Sequence, residues 1–162
     1  MRTIVFLAAI VTAGVMAAAA TAAPPTITRN FQATGTATLT GVCSFPVDVV
    51  FSQTLTEIDY LDASGNVTRV HLHVVEQDVF TANGKTLRGE PFTFNADVLF
   101  DSEGNVTHVY ASGVVARIIL PDGSLFLSAG RADFAAHPGE SFLLSPDVGA
   151  QGNIAGFCAA LS

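Results

Sequence analysis

The chain has 162 residues, 14 Asp and Glu against 7 Lys and Arg, a formal net charge of −7 and no Trp. An acidic surface with one lysine, Lys85, repels phosphate backbones and offers anionic lipid no footprint, which argues against nucleic acid as a partner. Acidity of this kind bears on solubility and names no substrate.

Residues 1–22 read as a secretory signal peptide: Arg2, an apolar run from Ile4 to Val15, then small residues at Ala20 and Ala22. Apolar character fades into Ala and Thr before the roughly 20 residues that a bilayer span needs, so no transmembrane segment is expected in the mature chain and the protein is expected to be exported and extracellular. Residues 23–40, opened by Pro24 and Pro25, are read as a loose N-terminal segment. Residues 41–162 are about the size of a single domain.

Two cysteines, Cys43 and Cys158, remain in the exported chain with no CxxC motif and no His or Cys at zinc-finger spacing beside either. One disulfide closing a loop on the order of 100 residues is the simplest pairing in an oxidising compartment.

From Val47 onward short runs rich in branched and aromatic residues alternate with turn signals: DASGN, ANGK, DSEGN, PDGS and HPGE. Phe92, Phe94, Ala96, Val98 and Phe100 share one strand face, with Thr93, Asn95 and Asp97 on the other. "GVVARIIL", apolar on both faces, is expected to be central and packed on both sides. The pattern predicts an all-β fold, an antiparallel up-and-down β-barrel of about 8–10 strands, with a two-sheet β-sandwich as the alternative.

"DASGNVTRV" at Asp62 recurs 39 residues later as "DSEGNVTHV" at Asp101, and Asn83-Gly84 aligns with Asp122-Gly123, giving an internal repeat over 62–94 and 101–133. Each copy supplies one early carboxylate and runs into a strand, which falls short of a calcium loop. Asn66 and Asn105 head Asn-Val-Thr sequons, but the alanine- and glycine-rich, lysine-poor composition suits a bacterium. The same turn built twice is the expected meaning.

Candidate chemistry is sparse. His71 and His73 share a strand face with Arg69, and an H-x-H pair can present two imidazoles to a metal ion, with His108 as a third ligand from the neighbouring copy. The same alternation equally describes a solvent-facing strand. Glu57 with Asp59 and Glu76 with Asp78 are carboxylate pairs of proton-transfer type, expected to be solvated rims. No Gly-x-Ser-x-Gly elbow, Walker loop or GxGxxG is present, and His137 sits in a Pro-Gly turn without a nucleophile, so no catalytic residue and no cofactor is assigned. Phe92, Phe94, Phe100, Asp97, Tyr110 and Arg117 are the candidate pocket lining.

"GVCSFPVDVVFSQT" near the start and "GNIAGFCAALS" at the end resemble a group of small secreted actinobacterial β-rich proteins of unknown function, marked by Cys-x-Phe-Pro-Val and a closing Gly…Cys…Leu segment. The resemblance implies export, a β domain and a terminal disulfide between Cys43 and Cys158, and carries no activity. Three classes therefore stand: a non-enzymatic secreted protein binding a small apolar ligand or a surface partner; a barrel-type isomerase, cyclase or hydrolase acting on a hydrophobic molecule; and a structural, envelope-associated protein. Two or more buried ionisable groups in one cavity would favour the enzyme, and an apolar cavity without them would favour binding.

Overall fold

The computed structural model describes residues 26–162, and the signal peptide read over 1–22 lies outside the described residues. The strands are β1 (Ile27–Leu39), β2 (Val47–Leu61), β3 (Val67–Ala82), β4 (Lys85–Arg88), β5 (Phe92–Phe100), β6 (Val106–Ile119), β7 (Leu125–Asp133) and β8 (Val148–Ala150). A 3₁₀ turn over Phe134–Ala136 follows β7, and one helix, α1 (Ile154–Leu161), ends the chain. The eight strands form one antiparallel sheet in the order β1-β2-β3-β5-β6-β7-β8, with β4 on the end of β3 at Val79–Ala82.

The all-β antiparallel class and the strand number are as expected, but the sheet is not closed into a barrel, nor is it split into the two sheets of a sandwich. β8 has three residues, against thirteen in β1, and the stretch between β7 and β8 carries Pro138 and Pro146, which have no amide to donate to a ladder. That stretch lies in the seam instead: residues 137–145 face Ala37–Val42 at the end of β1 across a cleft. His137 Nε2 lies 2.7 Å from Asp147 Oδ1, and Asp147 Oδ2 accepts from the Asp133 amide at 2.7 Å, so the segment is fastened to the end of β7.

Residues 27–39 are not a loose segment. Every residue of β1 has a partner on β2, from Ile27 opposite Asp59 to Leu39 opposite Val47. Thr28, Thr34, Thr36 and Thr38 give this stretch strand propensity that outweighs the loosening effect of the two prolines ahead of it. "GVVARIIL" is central, on β6 between β5 and β7, but is not packed on both sides. A bulge between Val114 and Ala116 turns Val115 and Ala116 both inward, while Ile119 is 54% exposed, so register irregularity and not two-sided burial explains the continuous apolar run.

The 39-residue echo is one structure built twice. Asp62 Oδ1 accepts from the amides of Ser64 and Asn66, both at 2.8 Å, and Asp101 Oδ1 accepts from those of Glu103 and Asn105, both at 2.9 Å. Each sequon asparagine also donates to the other oxygen of its aspartate at 3.1 Å. The carboxylates are thus engaged by their own turns, and hydrogen bonds from Asn66 and Asn105 lead the effects holding both below the usual aspartate value.

The core gathers at the opposite end of the sheet, where Val47, Val49, Phe80, Ile118 and Phe126 are covered by α1. Phe157 and Leu161 of the helix are fully buried. Asn153 caps the helix start by accepting from the Gly156 amide at 3.0 Å, and Asn83, at the β3–β4 turn, donates to the Leu161 carbonyl at its end. Cys43, in the β1–β2 connection, is bonded to Cys158 of the helix with Cα atoms 5.5 Å apart. The bridge therefore joins the first hairpin to the terminal helix. Replacing both cysteines with serine is expected to lower the unfolding free energy by about 4–5 kcal/mol, the chain-entropy value for a loop of roughly 100 residues, read from urea unfolding curves.

Candidate functional site

Strand alternation sets the inner face. On β3 the residues Val70, Leu72, Val74, Glu76, Asp78, Phe80 and Ala82 are in phase, and the register places Gln53 beside Glu76 and Phe51 beside Asp78. Glu76 is 5% and Asp78 1% exposed, so this pair is not a solvated rim. Asp59, at 3%, is not one either: Arg29 Nη2 reaches its Oδ2 at 3.0 Å while Nη1 bonds Glu57.

Side chains from β2, β3, β5, β6 and β7 line one cavity of about 150 Å³, which shows that the open sheet curls round it. Its walls are aromatic: Phe51, Phe94, Phe134 and Phe142. Phe142 comes from the seam segment and stacks on Phe51 with ring centroids 6.0 Å apart. Phe51 lies over Gly35 of β1, where an added Cβ would fall 2.2 Å from the ring, so only glycine lets the ring take this position. Ala111 and Ala132 leave the space that larger residues would fill. Gln53 and Glu76 are the polar groups of the deep wall, Gln53 Nε2 donating to Glu76 Oε2, and exposed Ser141 marks the rim.

Asp78 lies behind Glu76. Neither of its oxygens meets a protein donor, and two carboxylates can bond each other only when one carries a proton. Burial, followed by the charge of Glu76 and the hydrogen bond to it, pushes Asp78 up to about 9. Burial also raises Glu76, opposed by hydrogen bonds from Gln53 and Asp78. Asp78 is thus pushed toward its neutral form, while the hydrogen bond from Gln53 favours the charged form of Glu76 at the cavity wall against its burial.

Of the expected pocket residues, Phe94 lines the cavity, and Phe92, buried, stacks against it at 6.2 Å. Phe100 lies at the far end of the sheet beside the Asp101 turn. Asp97 and Tyr110, opposite each other, alternate out of phase with Phe94 and Ala111, and the bulge in β6 turns Arg117 outward, so none of the three lines the cavity. There Asp97 Oδ1 accepts from Arg69 Nε at 2.8 Å and lies 2.9 Å from His71 Nδ1. Partial burial opposes ionisation of Asp97, yet these bonds and charges hold it below the usual range.

His73 Nδ1 pairs with Asn95 at 3.0 Å, and His108 stacks on Tyr110, over which the Arg131 guanidinium sits at 4.2 Å. The three histidines thus have separate partners, and among the described residues no group of three or more His, Cys, Asp or Glu is placed to hold a metal ion. The sequence places Glu76 and Asp78 on a solvated rim and does not single out Gln53, Phe51 or Phe142. The first two were detectable: with His71 and His73 on one face of β3, alternation puts Glu76 and Asp78 on the face of Val74 and Phe80.

No family model matches the chain, and neither the curated proteins nor the solved structures contain a significant match to it. Among the described residues no helix is long and apolar enough to cross a membrane.

The carboxyl pair gives stability a pH dependence. Asp78, raised from 3.8 to about 9, binds its proton more tightly folded than unfolded, so its contribution is full below about pH 4 and is lost as pH rises to about 9. Glu76 acts in the same direction, as does His137, which its hydrogen bond to Asp147 raises above 6.5. Asp62, Asp97, Asp101, Asp122 and Asp147 are lowered, so their contributions are lost on acidification below 3.8. The thermal midpoint is therefore expected to climb as pH falls from about 9 toward about 4 and to drop below that. Asp78→Asn should flatten the climb, measured by circular dichroism across that range.

Proposed function

We propose that the protein is an exported, non-enzymatic binding protein whose inner-face cavity takes one small apolar molecule bearing a polar group. The observation that carries this reading is the cavity itself: aromatic walls on several sides and a single polar corner formed by Gln53 and Glu76. A volume of about 150 Å³ is close to that of cavities that hold a single benzene ring, and well below the roughly 300–1,000 Å³ of drug-sized sites. The ligand is therefore ring-sized, and multi-ring or long-chain molecules do not fit. The Cys43–Cys158 bridge, the resemblance at the chain ends and the leader sequence support export.

Saturable protection of the folded protein by neutral single-ring compounds such as phenol or toluene is expected in thermal unfolding. Ala132→Leu, which fills the cavity, should abolish the protection while leaving a cooperative transition. Protection of equal size in that variant would place the ligand elsewhere. The intact mass of protein recovered from culture medium should correspond to a start near Ala23, and a secreted chain still beginning at Met1 would contradict the leader assignment.

A second reading, proton-transfer catalysis on the same small molecule, is favoured by the proton that Asp78 keeps. Only Glu76 of the pair lines the cavity, which places binding ahead of catalysis.

A further inference from the structure

The reading of the cavity as a ligand site leaves the ligand's polar group unspecified, and the electrostatics of the wall specify it. Glu76 is the only ionisable side chain among the lining residues; no Lys, Arg or His faces it there. Elsewhere the carboxylates that touch a basic group do so away from the cavity: Arg29 serves Glu57 and Asp59, and Arg69 serves Asp97 on the outer face. Asp78, buried behind Glu76, meets no donor, whereas Glu76 Oε2 accepts from Gln53 Nε2, so of the two carboxyls the one on the cavity side is the one equipped to carry charge. An anionic charge so deeply buried is costly until a cation meets it.

The rest of the wall also suits a cation. Phe51, Phe94, Phe134 and Phe142 present ring surfaces whose π faces carry negative potential, and rings on several sides form the kind of cage that holds substituted ammonium groups. An inorganic metal ion is a poor fit, since one carboxylate and one amide are too few oxygens for it and the phenylalanines supply none. A carboxylate or phosphate ligand would meet the charge of Glu76 with its own. We infer that the cavity binds a small organic cation, an ammonium group carrying methyl or other compact apolar substituents, with Glu76 as counter-charge and the phenylalanines as its cage.

The inference rests on the cavity reading above and is tested separately from it. Titration calorimetry on the disulfide-bonded protein would compare choline with its uncharged isostere, in which a tert-butyl group replaces the trimethylammonium. Choline is expected to bind about tenfold or more tightly than the isostere, the ratio that one desolvated cation–π or charge-assisted contact brings. Glu76→Gln, nearly isosteric, should shrink the preference for choline several-fold, and Phe94→Leu should weaken choline more than the isostere. Should Glu76→Gln not fold, Phe94→Leu and Phe134→Leu together decide the same question. Equal binding of both ligands by the unaltered protein overturns the cation and leaves an apolar pocket. Binding of neither, together with no protection by neutral rings, overturns the pocket as well.

Discussion

Phe157 stands between Phe80 of β3 and Phe126 of β7, with ring centroids 5.2 and 5.4 Å away, and the rest of the molecule depends on that contact. An open sheet has no geometric requirement to curl, whereas a closed one does. Here the curl is enforced by a wedge, a fully buried aromatic ring from α1, which draws the third and seventh strands onto one core. A buried ring of this kind is worth about 3–5 kcal/mol when judged by truncation. The helix is too short to be stable alone, so its position comes from Asn153 and Asn83 at its two ends and from the covalent tie to Cys43.

Away from that wedge the sheet changes character. The inner face at the far end is only partly covered, with Ile27 and Phe31 about two-fifths exposed, and the outer face carries polar cross-strand pairs: His71 with Asp97, His73 with Asn95, Arg131 with Tyr110. Such exposed pairs contribute little individually, and continuous backbone pairing does most to keep these strands together. The cavity lies where the packed end gives way to the open one. Its walls are made by residues that would be core if the helix reached further, and Glu76 faces it among the phenylalanines while Asp78 is sealed behind.

Strand alternation made much of this architecture readable in advance. The Phe92–Phe100 pattern, the turn pairs and the repeat all point to hairpins, because side-chain phase and turn chemistry are local properties. What was missed depends on distant partners. β1 has four Thr but few large apolar residues, and its place in the fold shows only through its pairing with β2. The seam segment has no period of its own, so Phe142 could not be assigned to a wall. The helix did leave a signal, with Asn153 as cap and apolar residues at Ile154, Phe157, Cys158 and Leu161 in helical spacing, but a barrel expectation left no place for it. Glu76 and Asp78 were read by residue type rather than by phase, and type favours water for carboxylates in the absence of structural context.

The covalent bridge has a mechanical consequence. It spans 115 positions, so the seven strands β2 to β8 lie inside one closed ring of chain, and β1 is the one described strand outside it. A tensile load applied between residue 26 and residue 162 therefore runs along β1, through the sulfur–sulfur bond and out by the last turn of α1. Strands β2, β3, β5, β6 and β7, which hold most of the cavity wall, are short-circuited and carry none of it. Pulled from its ends, the molecule would shed its first strand and keep its binding chamber under no direct tension.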